Sequence, residues 1–143
     1  MEKNNSFVED LSRGKQVEQM LLDKLKSKYP SAAIIDKFKG YDIWIPEIHK
    51  SIEVKADEKS NYTGNIVVEI EMYGKPSALL TTTADYWVFY DGKFWCITPK
   101  EIIQCIFLNK LQHTEFVGNG DTQSKKAFLI KKDLLAKYWR EIK

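Results

Sequence analysis

An α/β fold, with a mixed central sheet of about five strands flanked by helices, is what three stretches of this chain predict. An amphipathic helix opens it, segments of strand-like alternation fill its middle, and a hairpin running into a capped helix follows. No repeat, low-complexity tract or linker divides the 143 residues, so residues 1–143 are expected to form a single domain.

Residues 1–11 are polar and read as a flexible arm. A helix is predicted from Ser12 to Lys28, ended by Tyr29-Pro30, where proline disfavours helical backbone before it. Its stripe is Leu21, Leu22 and Leu25, and Glu18 lies one turn earlier on the edge of that stripe. Ala32–Ile35 approaches a strand. In Tyr41–Ile45, Tyr41, Ile43 and Ile45 alternate with Asp42 and Trp44. Pro46 breaks this strand, and Ser51–Ala56 resumes with Ile52 and Val54 inward and Glu53 and Lys55 opposite. A third strand, Asn65–Tyr73, puts Ile66, Val68, Ile70 and Met72 on one face and Glu69 and Glu71 on the other.

Gly74-Lys75-Pro76-Ser77 breaks the pattern and starts a short helix through Leu80. Tyr86–Tyr90 and Phe94–Ile97 form a hairpin across Asp91-Gly92. Thr98-Pro99-Lys100-Glu101 is a capping box with proline at the first helical position, opening a helix with Ile102, Ile103, Ile106 and Leu111. Gly118-Asn119-Gly120-Asp121 reads as a flexible loop. Leu134, Leu135, Tyr138, Trp139 and Ile142 read as a final amphipathic helix.

Composition excludes several classes. With 43% hydrophobic and 13% aromatic residues the chain is not disordered, and a net charge of +2 is not that of a basic tail. The cations are lysines apart from Arg13 and Arg140, which suits phosphate contact better than bidentate base reading. Cys96 and Cys105 lack metal-ligand spacing and read as structural thiols in a reducing compartment. Met1–Asp10 has no apolar signal core and no run reaches membrane-spanning length, so a soluble, cytoplasmic protein is expected.

The chemistry concentrates around Asp42, Glu53 and Lys55. Glu53 and Lys55, two apart on a strand, leave the same face. If the intervening turn centres on Glu47 and Ile48, facing residue numbers sum to 95 and Asp42 lies opposite Glu53. Opposed carboxylates repel, and a hard divalent cation between them removes the penalty. Lys55 beside them is placed for a phosphate or an attacking water. A surface hairpin with solvated charges is the bland alternative; matched register and an acid on the preceding helix weigh against it.

Asp42 followed by Glu53-Val54-Lys55 resembles the PD-(D/E)xK, restriction-endonuclease-like nuclease superfamily, as does the order of one helix and three strands over residues 12–97. Tyr41 stands where that family often has proline. Arg13-Gly14-Lys15 followed by Glu18 looks like the opening helix of its phage and archaeal Holliday-junction resolvases. The resemblance implies a restriction-endonuclease-like core and a Mg²⁺-dependent DNA endonuclease (Mn²⁺ as substitute). Asp42, Glu53, the Val54 carbonyl and Glu18 would serve the metal, with Lys55 acting on the nucleophile. It also implies branched DNA as substrate, a homodimer, and the host cytoplasm if the protein is phage-encoded.

Around this centre Arg13, Lys15, Lys59, Lys75 and Ser77 are candidates for nucleic-acid contact, and Glu69 and Glu71 for outer-shell metal contact. For Ser77 a helix cap, and for the two glutamates a solvated strand face, are the plainer roles. Lys125, Lys126, Lys131 and Lys132 form a further basic track or simply a solvated face. His49 and His113 lack metal-ligand partners at useful spacing. A nicking, restriction-like or single-strand-directed nuclease stays open, as do an RNA substrate and a non-catalytic nucleic-acid-binding module.

Overall fold

The computed structural model describes residues 2–35, 40–117 and 124–143, with residues 2–8 and 10 described by backbone alone. Over these described residues it is α/β, with a six-stranded mixed sheet, a second four-stranded sheet and four α-helices. The expected Gly118–Asp121 loop lies outside the described residues.

The first helix, α1, spans Glu2–Lys26, so the stretch read as a loose arm (1–11) is helical from Glu2 onward. Nothing in residues 2–11 breaks a helix, and continuing one already nucleated by the packed segment costs little. It ends as expected: the Lys28 and Tyr29 amides both bond to the Leu25 carbonyl just before Pro30. Val17, Leu21, Leu22 and Leu25 are buried along one stripe.

That stripe packs on the six-stranded sheet. Strands β1 (Ala33–Ile34), β2 (Ile43–Ile45) and β3 (Lys50–Ala56) pair antiparallel in that order, with Ile43 opposite Ile52. Those numbers sum to 95, as the turn position requires. A 3-10 turn at Pro46–Ile48 joins β2 to β3, closed by His49 in the left-handed region at φ 50°. Ile43, Ile45 and Ile52 form one core with α1, joined by Val88, Tyr90 and Phe94.

From β3 the chain leaves this sheet. After α2 (Ser60–Thr63), the third predicted strand, β4 (Asn65–Met72), enters a second sheet ordered β5-β4-β9-β8. Its neighbours there are β5 (Lys75–Pro76) and β9 (Lys125–Lys131), and β8 (Thr114–Phe116) forms the far edge. The mixed central sheet, expected with about five strands, has six, and a second sheet accompanies it. Ile66 and Val68 are fully buried against Ile130 and the other face of the first sheet, which alternation along β4 cannot distinguish from lateral pairing to β3.

The chain returns as β6 (Tyr86–Tyr90), parallel to β3 with Glu53 beside Trp87, then β7 (Phe94–Ile97) across Asp91-Gly92. The capping box of α3 (Pro99–Leu108) forms in full: the Glu101 amide donates to Thr98 Oγ1 at 3.1 Å, and the Thr98 amide to Glu101 Oε1 at 3.0 Å. Two elements differ from expectation. The helix expected from Ser77 to Leu80 is a single 3-10 turn over Ala78–Leu80. The final helix stops early: α4 covers Lys132–Leu135, and β10 (Arg140–Ile142) pairs with the edge of β7. Pairing that open edge satisfies backbone groups a last helical turn would leave to water, and it brings Ile142 onto the core shared with α1.

Candidate active site

Glu18 of α1, Asp42 just before β2 and Glu53 of β3 meet where β2 gives out along β3. Because β2 begins at Ile43, no β2 residue lies opposite Val54. The Asp42 carboxylate fills the gap, its Oδ2 accepting the Val54 amide at 2.7 Å while the Asp42 amide donates to the Ile52 carbonyl. The expected face-to-face pairing of Asp42 and Glu53 is therefore altered. Asp42 lies along the strand edge, from which it reaches both Glu53 and Glu18. A strand residue's N–H and C=O leave the same edge, so the Val54 carbonyl opens on the Asp42 side, away from β6.

Burial first, then Asp42 through its charge and a hydrogen bond, and then Glu53, push the Glu18 carboxyl up to about 7; Lys15 opposes the shift. Glu53 is also raised, chiefly by burial, with Lys55 opposing and Asp42 reinforcing. These mutual influences mark the three acids as one electrostatic unit. Lys55 Nζ lies 3.3 Å from Glu53 Oε1 and 5.2 Å from the centroid of the buried Trp87 ring, whose indole N–H donates to Thr82 Oγ1 at 3.0 Å. Lys55 is thus held between a carboxylate and a π face, with its ammonium still open to solvent.

A carbonyl and three carboxylates are hard oxygen donors of the kind Mg²⁺ takes, so the residue types fit such an ion. Their present spacing answers to other partners. Among the described residues no three His, Cys, Asp or Glu side chains stand close enough to hold a metal ion. Asp42 is occupied by the Val54 amide, Glu53 leans on Lys55, and the raised Glu18 carboxyl is turned to Asp42 by a hydrogen bond.

Other predicted residues divide. A β-bulge between Glu69 and Glu71 separates two carboxylates that an unbroken strand would put on one face. Glu69 turns toward a cavity of ≈ 450 Å³ that also takes in Glu53 and Lys55. There Glu69 Oε2 accepts from Ser77 Oγ at 2.7 Å, while Glu71 pairs with Lys126 at 3.6 Å. Ser77 thus holds Glu69 and makes no side-chain cap. Arg13 is committed to Glu58 at 2.7 and 3.1 Å, 5.6 Å from the centroid of the Tyr90 ring. Lys15, Lys59 and Lys75 are exposed. Of the basic track, Lys125 and Lys126 neighbour Glu69 and Glu71, and Lys132 binds Asp91 at 2.7 Å.

Sequence reasoning missed Trp87, Thr82 and the cavity, because the parallel pairing of β3 with β6 leaves no trace in local periodicity. Cys96 and Cys105 are free thiols, Cys105 buried and Cys96 half-buried. Among the described residues no helix is long and apolar enough to cross a membrane. Comparison of the chain with protein-family models, curated proteins and solved structures gave no match in any of the three.

Proposed function

We propose that this protein is a metal-dependent DNA endonuclease, hydrolysing phosphodiester bonds at the site formed by Glu18, Asp42, Glu53 and Lys55. The observation that carries the reading is the meeting of three carboxylates, from α1, from the residue before β2 and from β3, beside a lysine paired to one of them. In this reading Asp42, Glu53 and the Val54 carbonyl would hold a Mg²⁺ ion, for which Mn²⁺ would substitute, and Glu18 would complete the set directly or through water. The chemistry supplied by such an ion is acidification of the attacking water and neutralisation of charge on the phosphate.

The chain's own groups do the rest. Val54 fixes Asp42 through its amide, so that carboxylate needs little reorganisation. Glu18, its carboxyl raised to about 7, would lose its remaining proton beside a bound cation, so binding of the ion would release protons. Lys55, released from Glu53, donates from Nζ to the water or to a non-bridging phosphate oxygen. A restriction-endonuclease-like core, branched DNA as substrate, action as a homodimer and a cytoplasmic location, where the thiols stay reduced, complete the proposal.

Incubation with four-way junction, linear duplex and single-stranded DNA in Mg²⁺ tests it, with RNA in parallel. Paired nicks near the branch support the junction preference, and equal cutting of linear duplex overturns that preference. Glu53→Ala is expected to abolish cleavage and retain DNA binding; normal cutting by this variant rules out the site. A non-catalytic nucleic-acid-binding module is the second reading, favoured by the absence of an ion-holding triplet among the described residues. Binding without cleavage in either Mg²⁺ or Mn²⁺ selects it.

A further inference from the structure

We propose that the cavity between the two sheets receives one unpaired nucleobase of the substrate strand, so that the protein prefers DNA with unpaired nucleotides beside the phosphate it cuts; this rests on the nuclease reading above. The cavity is bounded by Glu53 and Lys55 on the first sheet and by Glu69, Met72 and Ser77 on the side of the second. At ≈ 450 Å³ it falls within the roughly 300–1,000 Å³ of small-ligand sites. Lys55 shares this space, so a phosphate held there lies one sugar away from a base placed inside.

Two features indicate a built pocket. The bulge in β4 directs Glu69 into the cavity, and the hydrogen bond from Ser77 Oγ holds it at 2.7 Å. The wall that carries Ser77 follows a tight turn at Tyr73 (φ 56°) and Gly74 (φ 75°), then passes through Ala78 at φ 45°. A non-glycine residue in the left-handed region costs of order 1 kcal/mol and persists where the surroundings impose it.

The lining matches a base in kind. Met72, Ala78 and Trp87 supply apolar contact for a flat ring. A carboxylate has several acceptor sites, and Ser77 takes only part of that capacity. Glu69 therefore accepts from the exocyclic amine of cytosine or adenine, a contact thymine cannot make through its corresponding oxygen. Duplex DNA keeps its bases stacked, and extruding one costs a few kcal/mol. A strand already unpaired at a branch, flap or gap supplies the base without that cost.

Binding can be read without cleavage, by fluorescence anisotropy of the full chain in EDTA. The probes are a short labelled single strand, its blunt duplex, and oligo-dC against oligo-dT. The single strand is expected to bind about tenfold tighter than the duplex, the range of one stacked base. Met72→Trp, which fills the cavity, is expected to bring the two within about twofold. Glu69→Leu is expected to erase a preference for dC over dT. Ser77→Phe fills the same space from another wall and replaces Met72→Trp should that variant fail to fold. Equal binding of strand and duplex, or an unchanged preference in a folded cavity-filled variant, overturns the proposal. Cleavage by wild-type protein in Mg²⁺ is scored separately. Cleavage without the binding preference removes the pocket and leaves the nuclease; the preference without cleavage does the reverse.

Discussion

Glu18→Gln replaces a carboxyl raised from 4.5 to about 7 with a neutral side chain of similar size. The folded protein binds a proton at Glu18 that the unfolded chain has released, so between these two values stability falls as pH rises. The contribution is fully present below 4.5 and lost once pH passes about 7. A span of about 2.5 pH units at about 1.36 kcal/mol each sets a ceiling near 3 kcal/mol. Glu18 is partly open to water, and screening there reduces this to about 1 kcal/mol. Urea unfolding of both proteins at pH 4.5 and pH 7.5 measures it. The variant is expected to match wild type at the lower pH and exceed it by ~1 kcal/mol at the higher. Asp57, also raised but by other neighbours, tilts both curves alike, and the difference reports Glu18 together with its coupling to the neighbouring acids. Parallel pH profiles, or a variant less stable at pH 7.5, would refute the argument that burial and the neighbouring Asp42 raise the Glu18 carboxyl.

Further outcomes follow from other contacts. Mg²⁺ at neutral pH is expected to raise the melting temperature of wild type more than that of Asp42→Asn, and equal shifts would place the ion elsewhere. Lys55→Met is expected to lower kcat by about a hundredfold or more while leaving DNA affinity within a few-fold, read from single-turnover cleavage and anisotropy. Lys132→Met removes the partner of Asp91, which also accepts from the Trp95 indole; a loss of about 2 kcal/mol in urea unfolding is expected. Thr98→Ala deletes one half of the capping box of α3 and is expected to cost about 1 kcal/mol by the same measurement.

Much of the site was legible because it depends on local rules. Alternation along β3 put Glu53 and Lys55 on one face, the turn at Pro46–Ile48 set the register of β2 against it, and helical spacing set Glu18 beside the buried stripe. The Asp91-Gly92 hairpin and the Thr98 cap were legible for the same reason.

Where the fragments went was decided only in three dimensions. The alternation of β4 would serve equally in a strand beside β3 or in a second layer above it, and burial of Ile66 and Val68 between the sheets selected the layer. The apolar spacing of residues 134–142 suits a helix, yet the open edge of β7 captured Arg140–Ile142 as β10. The β4 bulge sent Glu69 to the cavity and left Glu71 with Lys126, which periodicity could not foresee. From the sequence alone came which residues each element presents; the tertiary structure chose its neighbours, because pairing and burial energies depend on what lies across the gap and not on the next residue in the chain.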